Sequence, residues 1–246
     1  MNALRAYAWW LGLALLAPIA LPLAVRTRRS ALRLSPAEGP LSGVAGADLP
    51  GEPLRLLVLG ESTVVGVGVD ELGAALVGQL ATALAARCGR PVAWRACGEN
   101  GITAAQARER LLPQVLDQPF ELALLVFGVN DTTHLTSLPR WDAALGGMAE
   151  ALAARGARVA FSSVPPLQHF SALPWLLRCL LGMRAGLLDV RLRQLADRLG
   201  AGHHTVELEF SAEYLARDGY HPSDLGYRVW AQGLAVSLVP AARWAP

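Results

Sequence analysis

The chain has 246 residues, 53% of them hydrophobic and 17% charged, with a formal charge of +2. That length gives room for one substantial core, and the low charge excludes both a largely disordered chain and a nucleic-acid binder driven by phosphate neutralisation. All 22 basic residues are Arg, which excludes lysine-based phosphate or Schiff-base chemistry, and three Cys without a CxxC pair give neither a disulfide framework nor a Cys-rich zinc site.

Residues 6–25 are uncharged and bounded by Arg5 and by Arg26, Arg28 and Arg29. As a helix this run covers about 30 Å, the thickness of a bilayer core. Trp9 and Trp10 stand where interfacial anchors are expected, whereas Pro18 and Pro22 are expected to kink the second half. Residues 1–29 are therefore read as a membrane-anchor-like segment. A surface-lying helix and a cleaved leader are the competing readings. The Arg excess after the run leans towards a cytoplasmic catalytic domain, with an exported or periplasmic one as the alternative. Residues 30–52 are rich in Gly, Pro, Ala and Ser without apolar periodicity, and read as a linker.

From residue 53 to 246 apolar runs alternate with helical patterns. Strands are expected over 54–59, 92–97, 122–127, 158–163 and, more weakly, 205–208. Helices are expected over 71–87, 103–115, 141–155, 184–199 and 223–238, with Thr103 as a cap. Continuous apolar strands alternating with helices predict an α/β domain with a five-stranded parallel sheet covered on both faces. Ligands of such sheets bind beyond the carboxyl ends of the strands, which directs attention to the loops there.

Four of those loops carry polar residues. Gly60-Glu61-Ser62-Thr63 follows the first strand, and Ser62 there is either a nucleophile or a helix-capping hydroxyl. The glycines at 66 and 68 fit neither phosphate-loop spacing. Asp218-Gly219-Tyr220-His221 puts a carboxylate three residues before an imidazole. That arrangement suits either a surface ion pair or a base whose tautomer is fixed by the Asp. Asn100-Gly101-Ile102-Thr103 and Gly128-Val129-Asn130-Asp131 offer a glycine N–H and a carboxamide, either as oxyanion donors or as plain turn chemistry.

Taken together, the blocks at 60–63, 100–103, 128–131 and 218–221 resemble the four blocks of the SGNH (GDSL-type) hydrolases, in order and spacing, over roughly residues 54–238. The resemblance implies a flavodoxin-like three-layer sandwich with strand order 2-1-3-4-5 and cofactor-free hydrolysis of a small-molecule ester, with lipid-like esters among the candidates. It implies Ser62 as nucleophile, His221 as general base and Asp218 as its orienter. The backbone N–H groups of Ser62 and Gly101 and the Asn130 side chain would form the oxyanion hole. The same residues would serve a carbohydrate O-deacetylase or an acyltransferase, and a non-catalytic membrane-tethered binding protein is the remaining alternative. One position departs from the pattern: Glu61 stands where the family usually has Asp. Asp131 is read as shaping its loop.

Other residues carry weaker signals. His134 reads as a surface histidine and His169 has no motif partner. His203-His204 with Glu207 and Glu209 superficially suggests metal, but adjacent residues of a strand point to opposite faces, so no metal site is assigned. The apolar segment 173–181 is read either as an ordinary packed helix or as an acyl pocket or membrane contact formed by Trp175, Leu176 and Leu180.

Overall fold

The computed structural model describes residues 2–205 and 211–239. The chain opens with α1 (Asn2–Ser30) and β1 (Ser42–Ala45), then passes through β2 (Leu54–Gly60), α2 (Leu76–Cys88), β3 (Val92–Gly98) and α3 (Ala104–Arg110). It continues with β4 (Leu122–Val126), α4 (Val129–Thr133), α5 (Leu138–Ala153) and β5 (Arg158–Ser162). The last elements are α6 (Trp175–Leu199), β6 (Gly202–His204) and α7 (Asp224–Leu238).

β2 is buried at every position but Arg55, and this follows from its sequence. Leu57 and Leu59 enter one core with α3, α5 and α6, while Leu56 and Val58 enter the other with α2 and α7. Each fully buried leucine contributes about 1.5–3 kcal/mol. Such a two-faced apolar run fits the middle of a parallel sheet, and β2 pairs in parallel with both β3 and β4. The sheet order is β1-β3-β2-β4-β5-β6, so the five parallel strands keep the expected order 2-1-3-4-5.

Three expectations need correction. The 30–52 segment is more than a linker. Its strand β1 pairs antiparallel with β3, Ala37 N–H donates to the Val65 carbonyl at 2.9 Å, and Glu38 N–H donates to the Asp70 carbonyl at 2.8 Å. Backbone hydrogen bonds make much of this edge, and only scattered side chains such as Ala37, Ala45 and Leu49 pack on the core, so no apolar periodicity announces it. Gly43 is required there, because a Cβ would meet the Trp94 ring at 2.7 Å. Secondly, among the described residues the strand that follows α6 is β6 at 202–204; of the expected 205–208, residues 206–208 lie outside the described residues. Thirdly, the segment at 173–181 and the helix at 184–199 are one helix, α6, with Pro174 at its N-cap.

The pattern was closer elsewhere. Thr103 caps α3 and makes a reciprocal capping box with Gln106, but the helix stops at Arg110 and a 3-10 turn holding Pro113 follows. His203 and His204 do point apart. His203 Nε2 lies 3.0 Å from an Asp189 oxygen on α6, and His204 Nδ1 lies 2.9 Å from the Ser237 hydroxyl on α7. Burial, with Arg158 and His203 nearby, pushes His204 down to about 4, so it stays neutral. Glu207 and Glu209 lie outside the described residues.

α1 runs helical through Pro18 and Pro22, and lies along the domain against α6. By length and composition it is apolar enough to cross a membrane.

Candidate active site

Because β2 to β5 are parallel, their carboxyl ends share one edge of the sheet, and the four polar loops meet there. Ser62 follows β2 in a tight turn that Gly60 permits, since a Cβ at that position would strike the Val126 carbonyl oxygen at 2.2 Å. His221 and Asp218 arrive on the turn before α7. Gly219 holds a positive φ of 65°, and its carbonyl accepts from Ala172 N–H at 3.1 Å. Gly68 lies so close beneath this turn that a Cβ would meet the Pro222 carbonyl oxygen at 2.4 Å, and the Tyr227 hydroxyl of α7 donates to the Val67 carbonyl at 2.7 Å. The glycine-rich 66–68 stretch therefore serves a close backbone crossing.

The result is a continuous line of hydrogen bonds. Ser62 Oγ is 3.0 Å from His221 Nε2, and His221 Nδ1 is 2.7 Å from Asp218 Oδ2. Asp218 Oδ1 accepts in turn from the backbone N–H groups of Tyr220 and His221, at 2.9 and 3.0 Å. Burial raises the Asp218 carboxyl, but these hydrogen bonds and the His221 ring outweigh it and hold the group below the usual carboxylate range. Asp218 is therefore an acceptor, which makes Nδ1 the protonated ring nitrogen and leaves Nε2 to accept from Ser62.

The two remaining loops stand beside this line. Asn130 Nδ2 donates one hydrogen to the Ile102 carbonyl at 3.0 Å and retains a second. Among the described residues, the backbone N–H groups of Ser62 and Gly101 make no hydrogen bond. Gly101 takes a φ of 83° with nothing within 4 Å of a Cβ, so the backbone conformation is what calls for glycine there. Asp131, fully buried, accepts from Ala104 N–H at 2.8 Å and ties the third loop to the start of α3.

Comparison with known proteins gives the family and the fold. The sequence profile of the GDSL-like Lipase/Acylhydrolase family matches residues 58–229. The chain belongs to that family. Among solved structures, the lipase/acylhydrolase from Enterococcus faecalis aligns with a TM-score of 0.61 at 19% identity, over 78% of this chain and 97% of its own. TesA aligns at 0.62 with 20% identity, over 76% and 99%. AlinE4, an SGNH-hydrolase family esterase, aligns at 0.51 with 26% identity, over 63% and 76%. No curated protein sequence matches the chain. The fold and the family are thus those of the SGNH hydrolases.

Within this family frame Glu61 does more than its sequence signal suggested. One of its oxygens accepts from the N–H groups of Gly128 and of Val129 (3.1 Å), and the other accepts from Asn130 N–H at 3.0 Å. The longer side chain spans from the serine turn to the Asn130 turn and caps α4. Burial pushes Glu61 up to about 8, against the lowering effect of these three N–H groups.

The residues read as a candidate acyl pocket lie apart from the cavity beside Ser62. A cavity of about 80 Å³ opens beside Ser62 and His221, lined by Pro166, Phe170, Leu215, Tyr220 and Trp230 among others. Trp175, Leu176 and Leu180 take no part in it. Trp175 is 71% exposed at the start of α6, Leu180 is buried, and Leu176 packs against the core. Joining 173–181 into a long helix carries these side chains past the cavity, and the loop ahead of it supplies the wall instead. Tyr220 was the legible part of that wall. It sits inside the Asp-x-x-His motif, and its ring meets Phe170 at 5.0 Å and His221 at 5.6 Å, both edge-on. His134 and His169 are exposed and line no part of the cavity.

Proposed function

We propose that the chain is a serine carboxylester hydrolase working through an acyl-enzyme on Ser62, held at a membrane by α1. The observation that carries the catalytic part is the Ser62–His221–Asp218 line at 3.0 and 2.7 Å. Ser62 Oγ attacks the ester carbonyl as its proton passes to His221 Nε2. Asp218 steadies the imidazolium and stays ionised. The tetrahedral oxyanion is held by the free N–H groups of Ser62 and Gly101 and by the second hydrogen of Asn130 Nδ2. Collapse breaks the bond to the alcohol, which leaves with the proton from His221. Water then attacks the acyl-enzyme by the same route and releases the acid.

The cavity favours a short acyl group. Its volume of about 80 Å³ is well below the roughly 300–1,000 Å³ typical of sites for larger ligands. The membrane part rests on the length and composition of α1.

The test is hydrolysis of p-nitrophenyl acetate, butyrate and decanoate by the full chain and by Ser62→Ala. The reading requires turnover that falls from acetate to decanoate and vanishes in the variant. Turnover that survives in Ser62→Ala would overturn it.

A further inference from the structure

α1 divides its circumference in two. Trp9 and Ala20 are buried against the domain, with Leu13, Leu16 and Leu23 packed beside them, a stripe at spacings of three and four. The rest is equally apolar and faces outward: Leu4, Tyr7, Leu11, Leu15, Ile19 and Val25 are all exposed. Arg5 brackets this outer face at one end and Arg26, Arg28 and Arg29 at the other, all exposed.

The inner face has a defined seat. Trp9 donates its indole N–H to the Leu180 carbonyl of α6 at 2.8 Å. Beneath it Arg184 is only 1% exposed, with its guanidinium carbon 5.1 Å from the Trp9 ring centroid and 5.6 Å from that of Trp10. Arg184 donates to the Thr136 carbonyl, while its Nε and Nη1 have no hydrogen-bond partner among the described residues. The two indoles thus cover a buried cation that would otherwise face solvent.

This seat conflicts with a membrane-crossing α1. The docked stripe from Trp9 to Leu23 occupies about 21 Å of helix length. A crossing α1 would have to leave α6, or draw Arg178, Arg184 and Arg191 of α6 into hydrocarbon, where charged side chains are costly. Lying flat removes the conflict. The outer face then meets the acyl chains while the Arg residues at both ends stay at the depth of anionic headgroups. Trp175 and Met183, exposed on α6, add apolar surface to the helix that carries α1.

We propose that α1 stays docked on α6 and lies in the plane of an anionic bilayer, its outer face in the boundary between headgroups and acyl chains, rather than spanning it. This rests on the membrane reading above and specifies its geometry.

The experiment uses the full chain with an N-terminal epitope tag, added to sealed vesicles of phosphatidylcholine and phosphatidylglycerol, floated and then treated with protease from outside. The proposal requires that the chain float and that the tag be removed while the vesicles stay sealed. A floating chain with a protected tag has crossed the bilayer, which overturns the in-plane geometry and leaves membrane attachment standing. A chain that does not float overturns both, and a dimer by light scattering in that fraction would assign the outer face to a second copy. Leu15→Asp should lower the floating fraction by about tenfold or more, with p-nitrophenyl acetate hydrolysis in solution unchanged as the control for folding. An unchanged floating fraction would also overturn the proposal. Trp9→Ala, which empties the seat, should convert part of the floating chain to a protected tag, and an open tag throughout would overturn the claim that docking on α6 keeps α1 in the plane.

Discussion

The sheet edge that carries Ser62 and His221 and the N-terminal helix hold themselves in place by opposite means. At the edge, a few hydrogen bonds of about 3 Å fix individual side chains: Asp218 reaches His221 three residues on, and Glu61 holds three successive N–H groups. α1 has no block at all. Among the described residues its hydrogen bond to the domain joins Trp9 to Leu180, 171 positions apart, the Arg184 guanidinium lies over its two indoles, and apolar packing supplies the rest. Reaction chemistry needs atoms at hydrogen-bond distance and tolerates little drift. Docking of an apolar helix spreads its energy over many side chains, and single changes there cost less.

The sharpest way to break this contrast is to remove the proposed nucleophile. Ser62→Ala should lower kcat on p-nitrophenyl acetate by about 10⁴-fold or more with the thermal midpoint unchanged. A smaller loss would mean that the edge shares its function as diffusely as α1 shares its packing. Asp218→Asn should cost about 10⁴-fold, because an amide opposite Nδ1 permits the wrong imidazole tautomer. Kinetics at saturating substrate would show this as a fall in kcat.

Asn130→Ala should cost about 10²–10³-fold in kcat if its second hydrogen reaches the oxyanion, with KM little changed. A KM effect alone would make Asn130 a binding residue. Glu61→Gln tests the brace between the loops. The new NH₂ faces either Asn130 N–H or the N–H groups of Gly128 and Val129, so the variant should lose about 1–3 kcal/mol of stability under mildly acidic conditions, measured by denaturant unfolding.

Glu61 also gives a pH dependence with a definite sign. Below the ordinary carboxyl range both folded and unfolded chains hold this proton. Between that range and about 8 only the folded chain holds it, so the unfolded state binds fewer protons and stability falls as pH rises through this window. Above about 8 the contribution levels off. Glu61→Gln should flatten this slope, and an equal slope in the variant would assign it to another group.

What the sequence made legible follows the same division. Ser62, Gly101, Asn130, Asp218 and His221 stood in local blocks, and the parallel strands were read from continuous apolar runs. β1 was not legible because an edge strand made of Ser, Gly, Val and Ala is held by backbone hydrogen bonds. The cavity wall was misplaced for another reason. Its residues, Phe170, Leu215, Tyr220 and Trp230, come from separate segments that only the fold brings together. The Trp175 segment advertised hydrophobicity, but α6 spends it on packing and on the seat for α1. The role of Glu61 was hidden because its partners lie 67 to 69 positions away.

The central claim is a covalent one and has a direct test. The full chain would be treated with a fluorophosphonate and digested, and the labelled peptide sequenced by mass spectrometry. The account predicts one adduct, on Ser62, absent from Ser62→Ala and much slower to form in His221→Ala. An adduct on another residue, or none from folded protein that still turns over p-nitrophenyl acetate, would contradict it.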